Sequence, residues 1–534
     1  MTNFGGYLRT AFMALAGIAL GVSCALAQSR PPCPRPAAGS IVTEPDNLVS
    51  ANGVLSTAFN YFTTMDAEGR TLFCFVTPSG SESPTLHVKP GDTLLLAATN
   101  QNPPAPPGSP TEVVSNPMNQ CGDSTQTITS VNIHYHGTNT SPQCHGDQVI
   151  HTIINSGETF NYSLHFPTDE PPGLYWYHPH VHHLAEVAVQ GGASGVIVVD
   201  GIENIQPVVA GLPERILIVR DQVVPGAPTP GGAVPSWDIS LNYVPISYPA
   251  ETPAIIQMKP GRKEFWRVAN ASADTQIDLQ VVYDGVPQPL QIVSLDGVPV
   301  GSQDGTGQGK TFTVTDILIP NAGRAEFIVA PPSPSVKNAS LITLNVNTGP
   351  AGDNDPQRTL ATIQTTASPT PTLPVIPQPS GPANPQRFAG LATAKPTAQR
   401  NLFFSENDVD FFITVQGATP VVFDANNPPA IITHQGAVED WTIENQTGEV
   451  HEFHQHQIHF LLLERNGVPV PPKQQQYLDT AQVDFWNGSG PFPSIKVRMD
   501  FRGMDVGDFV YHCHILEHED GGMMAIVRVL PPSS

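Results

Sequence analysis

Histidine is confined to two stretches of this 534-residue chain. None of the 18 falls between Leu184 and Thr433, a gap of 250 residues. Four clusters carry most of them: His134-Tyr135-His136-Gly137, Trp176-Tyr177-His178-Pro179-His180, His451-x-x-His454-x-His456, and His512-Cys513-His514-x-x-x-His518-x-x-x-x-Met523. In a strand, residues i and i+2 project from one face. Each H-x-H pair therefore offers two imidazoles on one side, ready to meet another pair across a cavity. The fold has to bring the first and last thirds of the chain together, which leaves the middle third as a spacer or a substrate wall.

The rest of the sequence favours short strands. Proline (56) and glycine (45) are abundant, and only 13% of residues are charged, against about 25% in soluble proteins generally. Residues 84–99 alternate apolar and polar around a Pro-Gly-Asp turn, and the rhythm returns at 255–270 and 431–445. Three recurrences predict an all-β chain built on a unit of about 150–170 residues repeated three times. The expected boundaries are 28–202, 203–364 and 401–534, with the Pro-, Thr- and Ala-rich segment 365–400 as an extended linker. A second Pro/Gly-rich stretch, 224–236, reads as a loop inside the middle unit. With 24 Lys+Arg against 47 Asp+Glu and a net charge of −23, nucleic acid is excluded as a partner. Apolar runs beyond the N-terminus are too short and interrupted for a membrane span, and a monomer is expected.

Residues 1–27 read as an export signal: Arg9, an apolar run from Ala11 to Val22, and an Ala25-Leu26-Ala27 cleavage site. Gly21-Val22-Ser23 before Cys24 fits lipid attachment poorly. A secreted or periplasmic chain would then keep Cys33, Cys74, Cys121, Cys144 and Cys513. The first four could form two disulfides in any of three connectivities, Cys33 with Cys144 being a guess among them.

Cys513 stands apart because of its neighbours. His512 and His514 face one way on the strand and Cys513 the other, so one strand can hold two metal sites back to back. A thiolate, two imidazoles and a distant thioether form a blue-copper electron-transfer ligand set, here Cys513, His518, His451 and Met523. Zinc is the competing metal, but Met is a poor zinc ligand. The other eight histidines, 134, 136, 178, 180, 454, 456, 512 and 514, suit a cluster of several coppers.

These four motifs, in this order and spacing, resemble those of the three-domain multicopper oxidases, the laccase-like group, over essentially the whole chain after the signal. The resemblance implies three consecutive cupredoxin-like Greek-key β-sandwich domains and four copper ions. It assigns His451, Cys513 and His518, with axial Met523, to the type 1 copper, and His134 and His454 to the type 2 copper. His136, His178 and His514 would hold one type 3 copper, and His180, His456 and His512 the other. It further implies four one-electron oxidations of phenols or aromatic amines, passed from Cys513 to His512 and His514 over about 10–15 Å of extended chain, and reduction of O2 to two waters. Glu519 matches the acidic residue after H-C-H-x-x-x-H in bacterial relatives and is the first candidate proton donor, though a plain surface charge would read the same. Asp147 is the second candidate, on the water-exit side.

The sequence departs from the pattern in the third motif. Plant and fungal laccases usually carry H-P-F-H-L-H-G-H there, where this chain has His451-Glu452-Phe453-His454-Gln455-His456-Gln457. The ligands stay, but the flanking Pro and Gly do not. An axial Met points to a low or medium type 1 potential. A metal-ion oxidase acting on Cu(I), Mn(II) or Fe(II) is the alternative, with the lack of a Met-rich insert counting against Cu(I). A non-enzymatic copper carrier would have no use for the eight-histidine set. His182 and His183 are expected to support the ligands or sit at the surface, and His459 to line core or pocket. His87, His145, His151, His165 and His434 lack partner spacing.

Overall fold

Each of the three recurring segments forms a strand, a tight turn and a strand that changes sheet. Thr85–Val88 leads into Thr93–Asn100, Ala254–Met258 into Glu264–Asn270, and Ile431–His434 into Ala437–Asn445. The first two turns place Pro90 and Pro260 before Gly91 (φ 89°) and Gly261 (φ 69°), a type II pattern that needs glycine at its third position. In the third turn Gly436 takes φ 95°. The computed structural model describes residues 33–115, 121–224, 226, 230–302, 309–381 and 387–532. The segment read as an export signal lies outside them.

Strands make up 44% and helices 4% of the structure, so the chain is all-β. Three pairs of sheets follow one another. The first pairs a five-stranded sheet, whose last two members are Gly173–His178 and His134–His136, with a four-stranded sheet centred on Val54–Met65 and Thr93–Asn100. The second pairs an eight-stranded with a six-stranded sheet, and the third a seven-stranded with a five-stranded one that contains His451–Gln455 and Gly507–Cys513. Inward positions of facing sheets meet in one core per pair: around Phe59, Leu96 and Tyr177, around Ile256, Trp266 and Phe327, and around Trp441, Phe453 and Val497. Ile277–Tyr283 shows why, alternating buried and half-buried residues along its length. Among the described residues no helix is long and apolar enough to cross a membrane.

The Pro-rich stretch after Thr365 is extended but docked. Ile376 is buried beside Val209 and Phe265 and exchanges backbone bonds with Gly211 and Leu212. Phe388 and Leu391 are buried against Val438 and Tyr477. The cysteines correct one expectation. The disulfides are Cys33–Cys74 and Cys121–Cys144, with Cα separations of 6.5 and 5.4 Å, so Cys33 does not pair with Cys144. Cys33 lies against the strand Thr71–Val76, buried with Phe62 and Leu72, and takes the cysteine of that strand. Each bridge also closes a short loop, 41 and 23 residues, which costs less chain entropy than a longer one. Among the described residues Cys513 is the free thiol, and it is buried.

Candidate metal centre

Two antiparallel pairings align the histidines. His134–His136 runs against Gly173–His178 with His134 opposite His178, and His451–Gln455 runs against Gly507–Cys513 with His454 opposite His512. The first and third units then face each other across these strands. The His134 ring stacks on His456 at 3.8 Å and that of His136 on His454 at 3.9 Å. His512 Nε2 stands 3.3 Å from His180 Nε2 and 3.1 Å from His456 Nε2. The His514 ring lies 4.9 Å from His136 and 5.4 Å from His178. All eight expected cluster histidines thus meet in one buried space.

Their chemistry fits metal ions. His134 Nε2, His136 Nδ1, His178 Nε2, His454 Nε2 and both ring nitrogens of His514 are buried without a hydrogen-bond partner. A buried polar atom left so costs about 1–3 kcal/mol unless something else satisfies it. Burial, helped by the neighbouring imidazoles, pushes the pKa of His134, His136, His178, His454, His456, His512 and His514 well down, and burial brings His180 to about 4. The rings are therefore neutral, the form that ligates a metal. The triads His180-His456-His512 and His134-His454-His456 each hold their donor atoms within 4.8 Å of one another.

On the other face of the same strand, Cys513 Sγ lies 3.6 Å from His451 Nδ1 and 3.6 Å from His518 Nδ1, which are 3.0 Å apart. A point in that plane sits about 2 Å from all three atoms, a metal–ligand bond length. Met523 is buried in the same core, its N–H donating to His518 O and its carbonyl accepting from Cys513 N.

A layer of acids surrounds both sites. Asp147 accepts from His134 Nδ1 at 2.9 Å, from Tyr135 N and from Gln457 Nε2, and burial raises its pKa to about 7. Glu519 is completely buried, its oxygens 3.2 Å from His512 Nδ1 and 3.5 Å from His180 Nδ1, with burial and then Asp520 pushing its pKa well up. The surface-charge reading of Glu519 is thereby removed.

Sequence reasoning missed several partners because none lies in a histidine motif. Asp479 Oδ1 sits 3.1 Å from His136 Nε2, and its carbonyl accepts from His454 Nδ1 at 2.8 Å. Thr447 Oγ1 bonds His451 Nε2 at 2.8 Å, and Glu449 Oε1 meets His518 Nε2 at 3.1 Å. His459 is buried as expected, donating to Asp296 O at 2.8 Å. His182 is buried with both ring nitrogens unpartnered, whereas His183 is half-buried and bonds Asp520 O.

Comparison with known proteins agrees with this geometry. Two family models, each described as multicopper oxidase, match residues 112–203 and 393–533, the stretches that carry all four histidine clusters. The chain is similar to a laccase of Bacillus subtilis, 23% identical over 403 residues, 69% of this chain and 72% of that protein. Its fold is similar to the McoA multicopper oxidase of Aquifex aeolicus (TM-score 0.68, 20% identity, 92% of this chain and 99% of that one). It is likewise similar to a Campylobacter jejuni multicopper oxidase described as a metallo-oxidase (TM-score 0.65, 20% identity, 93% and 96%). With both matched stretches holding the histidines that converge here, the chain belongs to the multicopper oxidase family.

Proposed function

We propose that this enzyme is a laccase-like oxidase that couples four one-electron oxidations of phenols or aromatic amines to reduction of O2 to water. The single observation that carries the reading is the strand around Cys513: its thiol joins His451 and His518, while its two neighbours, His512 and His514, enter the eight-histidine space. On this reading His451, Cys513, His518 and Met523 hold the type 1 copper. His134 and His454 hold the type 2 copper, His136, His178 and His514 one type 3 copper, and His180, His456 and His512 the other. Copper bound at these positions would supply one-electron redox chemistry at the first and multi-electron O2 reduction at the rest.

The chain's own residues set the conditions for that chemistry. The backbone of Cys513 links the two sites covalently. Asp147 fixes the His134 tautomer by taking its Nδ1–H. Glu519, held neutral by burial, carries a proton at its carboxyl oxygen beside His512 and His180. Residues 1–27 as an export signal, with two disulfides in the first unit, support an extracytoplasmic location.

Metal-ion oxidation is a second reading, favoured by one observation. Glu449 sits on the outward nitrogen of His518 with Glu406 beside it, and a carboxylate pair there would hold a cation as readily as a phenolic O–H. Oxygen uptake by the copper-loaded protein separates the readings. Fast uptake with a methoxyphenol and little with Cu(I), Fe(II) or Mn(II) supports the first, and the reverse supports the second. A Cys513→Ser variant that keeps its blue colour and its oxygen uptake would refute the electron path common to both.

A further inference from the structure

The Cys513 sulfur receives more than two imidazoles. The backbone N–H of Glu452, the residue after His451, donates to Cys513 Sγ at 3.3 Å. The carbonyl of the same residue accepts from His514 N at 2.7 Å, so both main-chain groups of Glu452 face the Cys513 strand. Its N–H meets the sulfur where a backbone carbonyl would otherwise be its partner. The side chain is turned elsewhere: it is fully buried, with Gln482 Nε2 3.4 Å from Oε1 and Gln482 continuing to Gln276 of the middle unit. Glutamate is not required for the bond to sulfur; an N–H is. The usual laccase motif has proline at this position, and proline has no N–H to give.

We infer that the Glu452 N–H is a positioning group for the thiolate that raises the type 1 reduction potential and so widens the range of donors the enzyme can oxidise. Hydrogen bonding around the cysteine sulfur is one of the levers on blue-copper potential. A donor aimed at the thiolate draws electron density from sulfur, weakens its donation to the metal and favours the lower oxidation state. The bond acts against the axial Met523, which favours the higher one. The inference rests on reading His451, Cys513 and His518 as the type 1 ligands.

Redox titration of the blue absorption band in the copper-loaded enzyme tests it. Glu452→Pro deletes the N–H, while Glu452→Ala and Glu452→Gln retain it. The proline variant should shift the electron-exchange equilibrium with a mediator by about three- to tenfold toward oxidised copper, tenfold being 59 mV for one electron. The alanine and glutamine variants should stay within about twofold of the parent. An unshifted proline variant, or an alanine variant shifted equally, overturns the inference. If the proline variant does not fold, the parent made by cell-free synthesis with [15N]glutamate and transaminases inhibited decides: electron–nuclear resonance should find a 15N coupling on the blue copper, and its absence overturns the inference. Ile515, whose N–H also faces the sulfur, stays unlabelled and cannot mimic it. A parent with no blue band overturns the copper reading itself, and the inference with it.

Discussion

Arg324 of the histidine-free middle unit places both terminal nitrogens on the carboxylate of Asp479 in the third unit, Nη1 on Oδ1 at 2.7 Å and Nη2 on Oδ2. Asp479 Oδ1 in turn sits 3.1 Å from Nε2 of His136 in the first unit, so three units meet at one carboxylate. Burial would raise the Asp479 pKa, but the Arg324 guanidinium holds it below the usual carboxylate range. Gly137, at φ 84°, lets the pair close over His136: a Cβ there would fall 2.5 Å from Arg324 Nη2 and from Asp479 Oδ2. The middle unit is therefore more than a spacer.

Arg324→Met leaves the Asp479 charge buried without the guanidinium that neutralises it. The expected cost is about 3–5 kcal/mol of stability, and Asp479→Asn in the same chain should recover most of it. Copper analysis should find metal lost from the eight-histidine space while the blue band stays. Loss of the blue band before the other copper would refute this role.

Glu519→Gln keeps the shape and removes the proton. Turnover with O2 should fall by about 10²–10⁴, the usual worth of a positioned acid. Anaerobic reduction of the blue band by the donor, followed by stopped flow, should keep its rate, because Glu519 touches the other face of the strand. A slowed anaerobic step would assign Glu519 a structural role instead.

Glu449→Gln should leave the blue band in place, since an amide can still bond His518 Nε2. If the enzyme oxidises phenols as proposed, steady-state kinetics should show kcat/KM for a methoxyphenol reduced by about tenfold, because the carboxylate placed to accept a phenolic proton is gone. An unchanged value would remove Glu449 from the donor side.

Asp355 makes stability fall with rising pH. It is buried in the middle unit, accepts from Gln276 N at 3.0 Å, and burial raises its pKa to about 8 against the pull of Gln276 and Arg358. The unfolded carboxyl titrates near pH ~3.9. Between those values the native state keeps a proton that the unfolded state has released, so stability is full below pH ~4 and declines up to about pH 8, by at most about 1.4 kcal/mol per unit. Urea titrations at pH 5 and pH 7 should show a smaller difference for Asp355→Asn than for the parent, and equal differences would refute it.

The side chains that converge were legible because the spacing that metal chemistry favours is a local feature of the sequence. H-x-H works on a strand since alternate side chains share a face, and His512-Cys513-His514 serves two sites because its middle residue points the other way. The three sheet-changing turns were equally legible from Pro, Gly and alternation. Partners set by distance in the fold were not. Asp479 and Arg324 meet across 155 residues, and neither sits in a repeating pattern.

The sequence by itself determined the all-β repeat, the two histidine-bearing ends and the residues that converge, because strand periodicity and ligand spacing are local. Only the tertiary structure decided which cysteines pair, that the middle unit braces His136 through Arg324 and Asp479, and that Glu449 caps His518 while the Glu452 N–H reaches sulfur. Those depend on which backbone and side-chain groups are brought within about 3 Å once sheets from distant parts of the chain have packed, and spacing along the chain does not encode that.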